Sequence, residues 1–272
     1  MRVTTPLLLA LILALGAGVS QPVRAVERLA VGASFSHIFE QGADGQWQGL
    51  GVDVVRALAA RAGDTVRFKL YPWPRAQAMV EAAQADILVG PYKSPERLAR
   101  FSFLDHPFYR DRMIFYARRD TQINWQGELA MLKQRRIGAV RGWHYGPQFE
   151  QARPQLDISE VPQLENGLQM LNLGRVDLLA TNERNTTQLV ESLHLGDTLT
   201  VLCPDITQLD GYLAFPRSSK FAAVRARYND LFNAMVRSGE LARLGARNGV
   251  LVPLGDGAPR TGACGDLHKV QR

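Results

Sequence analysis

The chain reads as an α/β protein built from two lobes that face one another across a cleft. Two short stretches carry this reading. Ala85-Asp86-Ile87-Leu88-Val89-Gly90, running on to Ser94-Pro95-Glu96-Arg97, looks like a copy of Val176-Asp177-Leu178-Leu179-Ala180-Thr181, running on to Asn182-Glu183-Arg184. Each is an apolar run introduced by a small residue and Asp, preceded by a helix-patterned segment and followed by polar groups. That pattern predicts a buried parallel strand whose C-terminal end opens onto a crevice, where open α/β sheets hold their ligands. A third observation agrees: each copy closes a run of alternating strand and helix patterns, and a cleft between two such units suits a small ligand.

The elements follow in order. Leu29 and Val31 alternate with small residues in a first strand ending near Gly32, and a Gly- and Asp-rich turn spans Gln41 to Gly49. Val52, Val55, Leu58, Ala59 and Ala62 fall at helical spacing, with Gly63 as a C-terminal stop. Val66, Phe68 and Leu70 alternate with polar residues, which predicts a strand. Pro74 opens a helix with Ala76, Met79, Val80 and Ala83 on one face, and Ile87 to Val89 completes a βαβαβ unit. Met113 to Ala117 is strand-like. The second cycle has a strand at Arg136 to Val140, a turn at Gly142 to Pro147 leading into a helix, a helix around Leu164, Leu168 and Leu171, and a strand at Val176 to Ala180. Gln188 to Leu193 reads as helix; Thr198 to Leu202 and Tyr212 to Phe215 read as two strands. Phe221, Val224, Tyr228, Leu231, Phe232 and Met235 mark one long amphipathic helix, ended by Gly239, and Glu240 to Ala246 adds a short final turn or two.

With 272 residues, 46% hydrophobic and 21% charged, the composition is that of an ordinary globular protein. Residues 1–25 read as a secretory signal peptide: Arg2, an apolar run from Pro6 to Val19, and a small-x-small site at Val23-Arg24-Ala25. The run is shorter than the roughly 20 apolar residues of a membrane anchor, and no Cys follows it to accept a lipid. The formal net charge is +6, of which the leader supplies Arg2 and Arg24. The remaining basic residues are scattered and not interleaved with aromatics, which argues against nucleic acid as a partner. Cys203 and Cys264 are the two cysteines; in an oxidising compartment they either pair or stand as unrelated thiols. Two Cys and five His give no metal-ligand spacing, so neither a metal nor another cofactor is expected.

Five motifs then fall in a telling order: Gly49-Leu50-Gly51-Val52-Asp53-Val54, Ala85 to Gly90, Glu96-Arg97, Phe101-Ser102-Phe103 with Pro107-Phe108-Tyr109, and Gly174-Arg175-Val176-Asp177. Together they resemble the periplasmic solute-binding proteins of family 3, receptors of polar amino-acid ABC importers, over about residues 28–249. The resemblance implies the two-lobed periplasmic-binding-protein fold, each lobe a doubly wound, mostly parallel sheet with flanking helices, joined by two hinge crossovers. The expected division is lobe 1 at 26–110, lobe 2 at 111–211, lobe 1 again at 212–250, and a disordered tail at 251–272, where Pro, Gly and polar residues dominate. It further implies a soluble, monomeric periplasmic protein. Such a receptor closes on a small-molecule ligand by hinge motion and is then recognised by an ABC permease complex in the inner membrane.

The resemblance also nominates ligand contacts. The Arg of the Glu-Arg step, Arg97, is expected to bind a ligand carboxylate, because a guanidinium offers a planar fork of donors that a carboxylate matches. Gly90 and Tyr92 lie just past the strand, Gly90 letting a backbone N–H approach closely. In lobe 2, Gly142 sits between strand and helix where N–H groups meet an anion, with His144 and Tyr145 beside it; His144 reads equally as solvated. Trp73 either packs on the ligand side chain or belongs to the core, and Phe35 and His37 occupy the loop after the first strand. Asn182 stands where amino-acid receptors of the family place an Asp for the ligand ammonium. It accepts a hydrogen bond but carries no charge, and neighbouring Glu183 would point the other way on an extended segment. With Arg75, Lys93, Arg97 and Arg141 near the expected cleft, an anionic ligand without an amine fits as well as an α-amino acid.

A non-enzymatic receptor is the leading function. The alternatives are an orphan binder that signals to a sensor protein, and a dehydratase-like enzyme on the same scaffold. The enzyme needs a carboxyl group of raised pKa as general acid, for which Glu183 is the one nominee.

Overall fold

A computed structural model describes residues 25–253. All but the last residue of the expected signal peptide, Cys264 with its pairing to Cys203, and the tail from residue 254 onward lie outside the described residues.

The first lobe grows from a parallel trio. Strand β1 (Glu27–Gly32) leads through the short hairpin β2 (Glu40–Gln41) and β3 (Trp47–Gln48) to helix α1 (Leu50–Ala62), then β4 (Thr65–Leu70), α2 (Trp73–Glu81) and β5 (Ile87–Tyr92). β1 lies between β4 and β5 and is parallel to both. Every residue of β5 is buried, as a parallel strand covered on both faces requires. Helix α3 (Pro95–Arg100), β6 (Phe101–Phe103) and the long β7 (Tyr109–Arg118) follow.

The second lobe repeats the plan. β8 (Arg136–Val140), α4 (Pro147–Ala152), β9 (Asp157–Val161), α5 (Leu164–Asn172) and β10 (Leu178–Asn182) place β8 between β9 and β10, again all parallel. Helix α6 (Glu183–Ser192) leads into β11 (Leu199–Pro216), and α7 (Ala222–Arg237) and α8 (Glu240–Arg247) return to pack on α1. The hydrogen-bonded path runs β4-β1-β5-β11-β7-β10-β8-β9, with β6 also on β11. The antiparallel strands β7 and β11 therefore stand between two trios of the same strand order.

The duplicated Asp has the same structural task in both trios. Asp86 accepts the Leu29 N–H at 2.8 Å through Oδ2 and pairs with Arg28 through Oδ1. Asp177 accepts the Arg136 N–H at 2.9 Å and pairs with the Arg136 guanidinium, which holds its carboxyl below the ordinary range. Each Asp N–H in turn donates to the adjoining strand, at Leu29 and Arg136. The motif is a clamp on strand register at the end remote from the cleft. Because hydrogen bonds to a charged group contribute roughly 1.5–3 kcal/mol, Asp86→Ala is expected to lower unfolding free energy by that order in urea titration, without altering ligand affinity.

Three sequence expectations change. Thr198 to Leu202 and Tyr212 to Phe215 are the two ends of the single strand β11, whose polar middle pairs with β7; the register shifts between Leu202 and Thr207. β9 was not expected, because Asp157, Ser159 and Glu160 mask its short apolar alternation. The helix expected from Gln188 begins at Glu183, since Asn182 caps it by accepting the Asn185 N–H. The apolar pattern of Leu189 and Val190 marks only its second half. Among the described residues no helix is long and apolar enough to cross a membrane, and no cluster of three His, Cys, Asp or Glu side chains is placed to hold a metal.

Candidate functional site

The C-terminal ends of β5 and β10 face each other beside the crossing strands, and the residues after them enclose one small cavity. Gly90, Tyr92 and Arg97 line it from the first copy of the motif, Asn182 from the second. Phe35 and Trp73 come from the two other strand ends of the first lobe, and Trp143 and His144 from the loop after β8; Tyr109, at the start of β7, completes the wall. The cavity holds about 20 Å³, room for about one water molecule, so a larger ligand needs the lobes to part.

Arg97 is placed by a short helix. Ser94 caps α3 by accepting the Arg97 N–H, and Pro95 fits the first helical position. Arg97 is 5% exposed, and its guanidinium donates to the Tyr92 carbonyl at 3.1 Å and, across the cleft, to the Gly142 carbonyl at 3.0 Å. It lies 5.7 Å from the Trp73 ring centre. Among the described residues no carboxylate pairs with it, and burial lowers its pKa. A buried cation whose two bonds go to neutral carbonyls keeps an unbalanced charge.

Gly90 has φ 92°, and a Cβ there would come within 3.1 Å of the Tyr109 hydroxyl, which donates to the Gly90 carbonyl at 2.7 Å. Gly142 has φ 76° and faces Pro74 and Trp73. The helix beyond it starts only at Pro147, so Gly142 meets Arg97 through its carbonyl. Phe35 packs edge-on to Trp73 at 5.2 Å and to Trp143 at 6.4 Å between ring centres, which makes one aromatic wall shared by both lobes.

The acidic groups close to the cavity are engaged elsewhere. Asp111 accepts the Tyr92 hydroxyl at 2.6 Å and a two-pronged bond from Arg184 at 2.8 and 2.9 Å. Burial acts to lower the Arg184 pKa, but Asp111 outweighs it and the net direction is up. Asn182, 2% exposed, caps α6 through Oδ1 and reaches the Tyr92 hydroxyl through Nδ2 at 3.5 Å. Arg112 holds Glu183 and Asp205 together at 2.8 and 2.5 Å; burial raises the Glu183 pKa and Arg112 opposes it.

Of the nominated residues, Phe35, Trp73, Gly90, Tyr92, Arg97, His144 and Asn182 share the cavity, and Gly142 touches Arg97 beside it. Three are not brought in. Tyr145 is fully buried, its hydroxyl accepting the Val140 N–H at 2.7 Å. His37 meets Gln188 at the rim, and Glu183 faces Arg112. Four residues were not nominated from sequence: Tyr109, Trp143, Asp111 and Arg184. For Asp111 a signal existed in Arg110-Asp111-Arg112, where alternation on a strand puts Asp111 on the face opposite its two Arg neighbours; its pairing with Arg184 had none.

Contacts across the cleft extend beyond Arg97. Arg184 donates to the Ser36 carbonyl, and Asn185 Oδ1 accepts the Ser36 N–H at 2.9 Å. Helix α6 of the second lobe is thus joined to the loop after β1 of the first. Asn185 Nδ2 is buried without a partner among the described residues.

Comparison with known proteins places this arrangement. Residues 29–249 match the sequence profile of the bacterial extracellular solute-binding proteins, family 3. A histidine kinase sensor domain with similarity to periplasmic binding proteins superposes with a TM-score of 0.73 at 21% identity, over 85% of this chain and 98% of that one. The substrate-binding protein of an amino acid ABC transporter gives 0.67 at 17% identity, over 82% and 98%. An ancestral arginine-binding protein bound to arginine gives 0.69 at 17%, over the same shares. At these identities the structures establish the fold alone, and no curated protein matches the chain. The sequence match spans nearly all of the described residues, and the chain belongs to the bacterial extracellular solute-binding proteins, family 3.

Proposed function

We propose that the protein is a monomeric periplasmic receptor that captures a small carboxylate-bearing solute between its lobes and delivers it to an ABC importer. One observation carries the reading: Arg97 is buried in the cleft with no carboxylate partner among the described residues. A ligand carboxylate would supply the missing charge and replace the Gly142 carbonyl as the acceptor spanning the lobes. The family and the amino-acid-binding proteins of the same fold support this. Glu183, the one nominee for general acid, is bonded to Arg112 outside the cavity, which favours a receptor over an enzyme. The test is thermal-shift screening against amino acids, dicarboxylates and other small acids, since a ligand that binds the folded state raises its melting temperature. A shift by at least one carboxylate is expected, and none across the panel would overturn the reading.

A second reading, a ligand-binding unit that signals to a sensor, is favoured by the sensor domain of the same fold, of which this chain covers 98%. The genes flanking this one separate the two: a permease and ATPase pair favours transport.

The same site predicts a pH dependence. His144 lines the cavity, and burial lowers its pKa below the ordinary value, with Glu150 opposing and Arg97 adding to the shift. Burial therefore favours its neutral form, whereas a bound carboxylate favours the protonated one. Affinity for a carboxylate is expected to rise several-fold as pH falls through the imidazole range, by linkage. Calorimetric titration should find this slope flattened in His144→Gln.

A further inference from the structure

We infer that the cleft selects a small monocarboxylate that has a flat aromatic or unsaturated body and carries no ammonium group. The inference rests on the receptor reading and specifies its ligand. An ammonium ion carries three donors and one positive charge, so burying it requires acceptors and an anion. Among the described residues no anion lines the cavity and its acceptors are few; Glu150, 3.5 Å from His144, is paired with Arg153. The ionisable lining of the cavity consists of Arg97, His144, Tyr92 and Tyr109, with no carboxylate. Asp111, the acid bonded to Tyr92, is neutralised inside the protein by Arg184. Arg112, Glu183 and Asp205 form a cluster one negative charge in excess, but neither carboxylate lines the cavity.

Hydrogen-bond supply points the same way. The Tyr92 carbonyl already accepts Arg97, the Gly90 carbonyl accepts Tyr109, and Asn182 Oδ1 accepts the Asn185 N–H. The groups with capacity to spare are chiefly donors: the Arg97 fork, the Asn182 amide, held only by a 3.5 Å contact, and beside it Asn185 Nδ2, which has no partner among the described residues. A site rich in donors and poor in acceptors fits a ligand that only accepts. The body of the ligand meets Phe35, Trp73 and Trp143, whose edge-on packing presents ring faces for a flat group to stack on once the lobes part.

The experiment compares matched probes by calorimetric titration of the mature protein: 3-phenylpropionate and phenylpyruvate against L-phenylalanine, with L-arginine and hexanoate as further arms. The expected result is a Kd for at least one amine-free aromatic acid that is tenfold or more below those of L-phenylalanine, L-arginine and hexanoate. Equal or tighter binding of either amino acid overturns the inference and leaves the receptor reading standing. Tighter binding of hexanoate overturns the flat-body assignment in the same way. Absence of binding by every carboxylate overturns both. A second variant addresses the cause. Asp caps a helix as well as Asn does, so Asn182→Asp should fold, and it is expected to shift the ratio at least tenfold toward L-phenylalanine. An unchanged ratio would show that the missing charge at this position does not set the selectivity.

Discussion

Arg184→Ala is expected to cost about 3–5 kcal/mol of unfolding free energy, because it strips the partner from a buried charge. Asp111 is 2% exposed and gives both carboxylate oxygens to the Arg184 guanidinium. Without Arg184 it keeps only the Tyr92 hydroxyl, too little to hold an anion away from water. Replacing both members should restore part of the loss: Asp111→Asn combined with Arg184→Leu leaves no unpaired charge, and a double-mutant cycle in urea isolates the pair. Arg184 also reaches the Ser36 carbonyl, so the single variant is expected to loosen the lobes as well. Small-angle scattering of the folded fraction should record a larger radius of gyration.

Arg97→Ala is expected to raise the Kd for the carboxylate ligand by roughly 30-fold to several thousand-fold, the equivalent of about 2–5 kcal/mol for truncating one side of a desolvated charge pair. Stability should change far less than for Arg184, and its sign is informative. Arg97 is buried against the Tyr92 and Gly142 carbonyls with no anion among the described residues, so removing it relieves an unbalanced charge while losing two hydrogen bonds. Urea unfolding of the ligand-free variant, set beside calorimetric titration, separates the two effects.

The sequence was most legible where one residue type has one physical task. Strands buried on both faces read as continuous apolar runs, which located β5 and β10, and the repeated small-Asp start marked two equivalent units. The task of that Asp was not legible: Asp86 and Asp177 clamp neighbouring strands that lie far away in sequence. β11 read as two strands because its middle, from Cys203 to Asp210, is polar; its pairing comes from the partner strand β7 and not from local apolar pattern. At the site, Arg97, Trp73 and Asn182 were legible because they end a strand or follow one within a few residues, and strand ends form the cleft. Asp111 and Arg184 looked like solvated charges in charged surroundings. What makes them a buried pair is the approach of α6 to the crossing strand β7, a tertiary fact with no local signature. Glu183 shows the converse: it adjoins Asn182, yet the turn from strand to helix directs it to Arg112.

Under the receptor reading, a ligand carboxylate completes the buried Arg97, which has no acidic partner among the described residues. The most direct measurement is calorimetric titration of the wild-type protein and Arg97→Ala, side by side, with the small carboxylates that raise the melting temperature. The expected result is saturable binding in the wild type and loss of at least 30-fold in affinity in a folded variant. A folded Arg97→Ala protein that binds the same carboxylate undiminished would contradict the account.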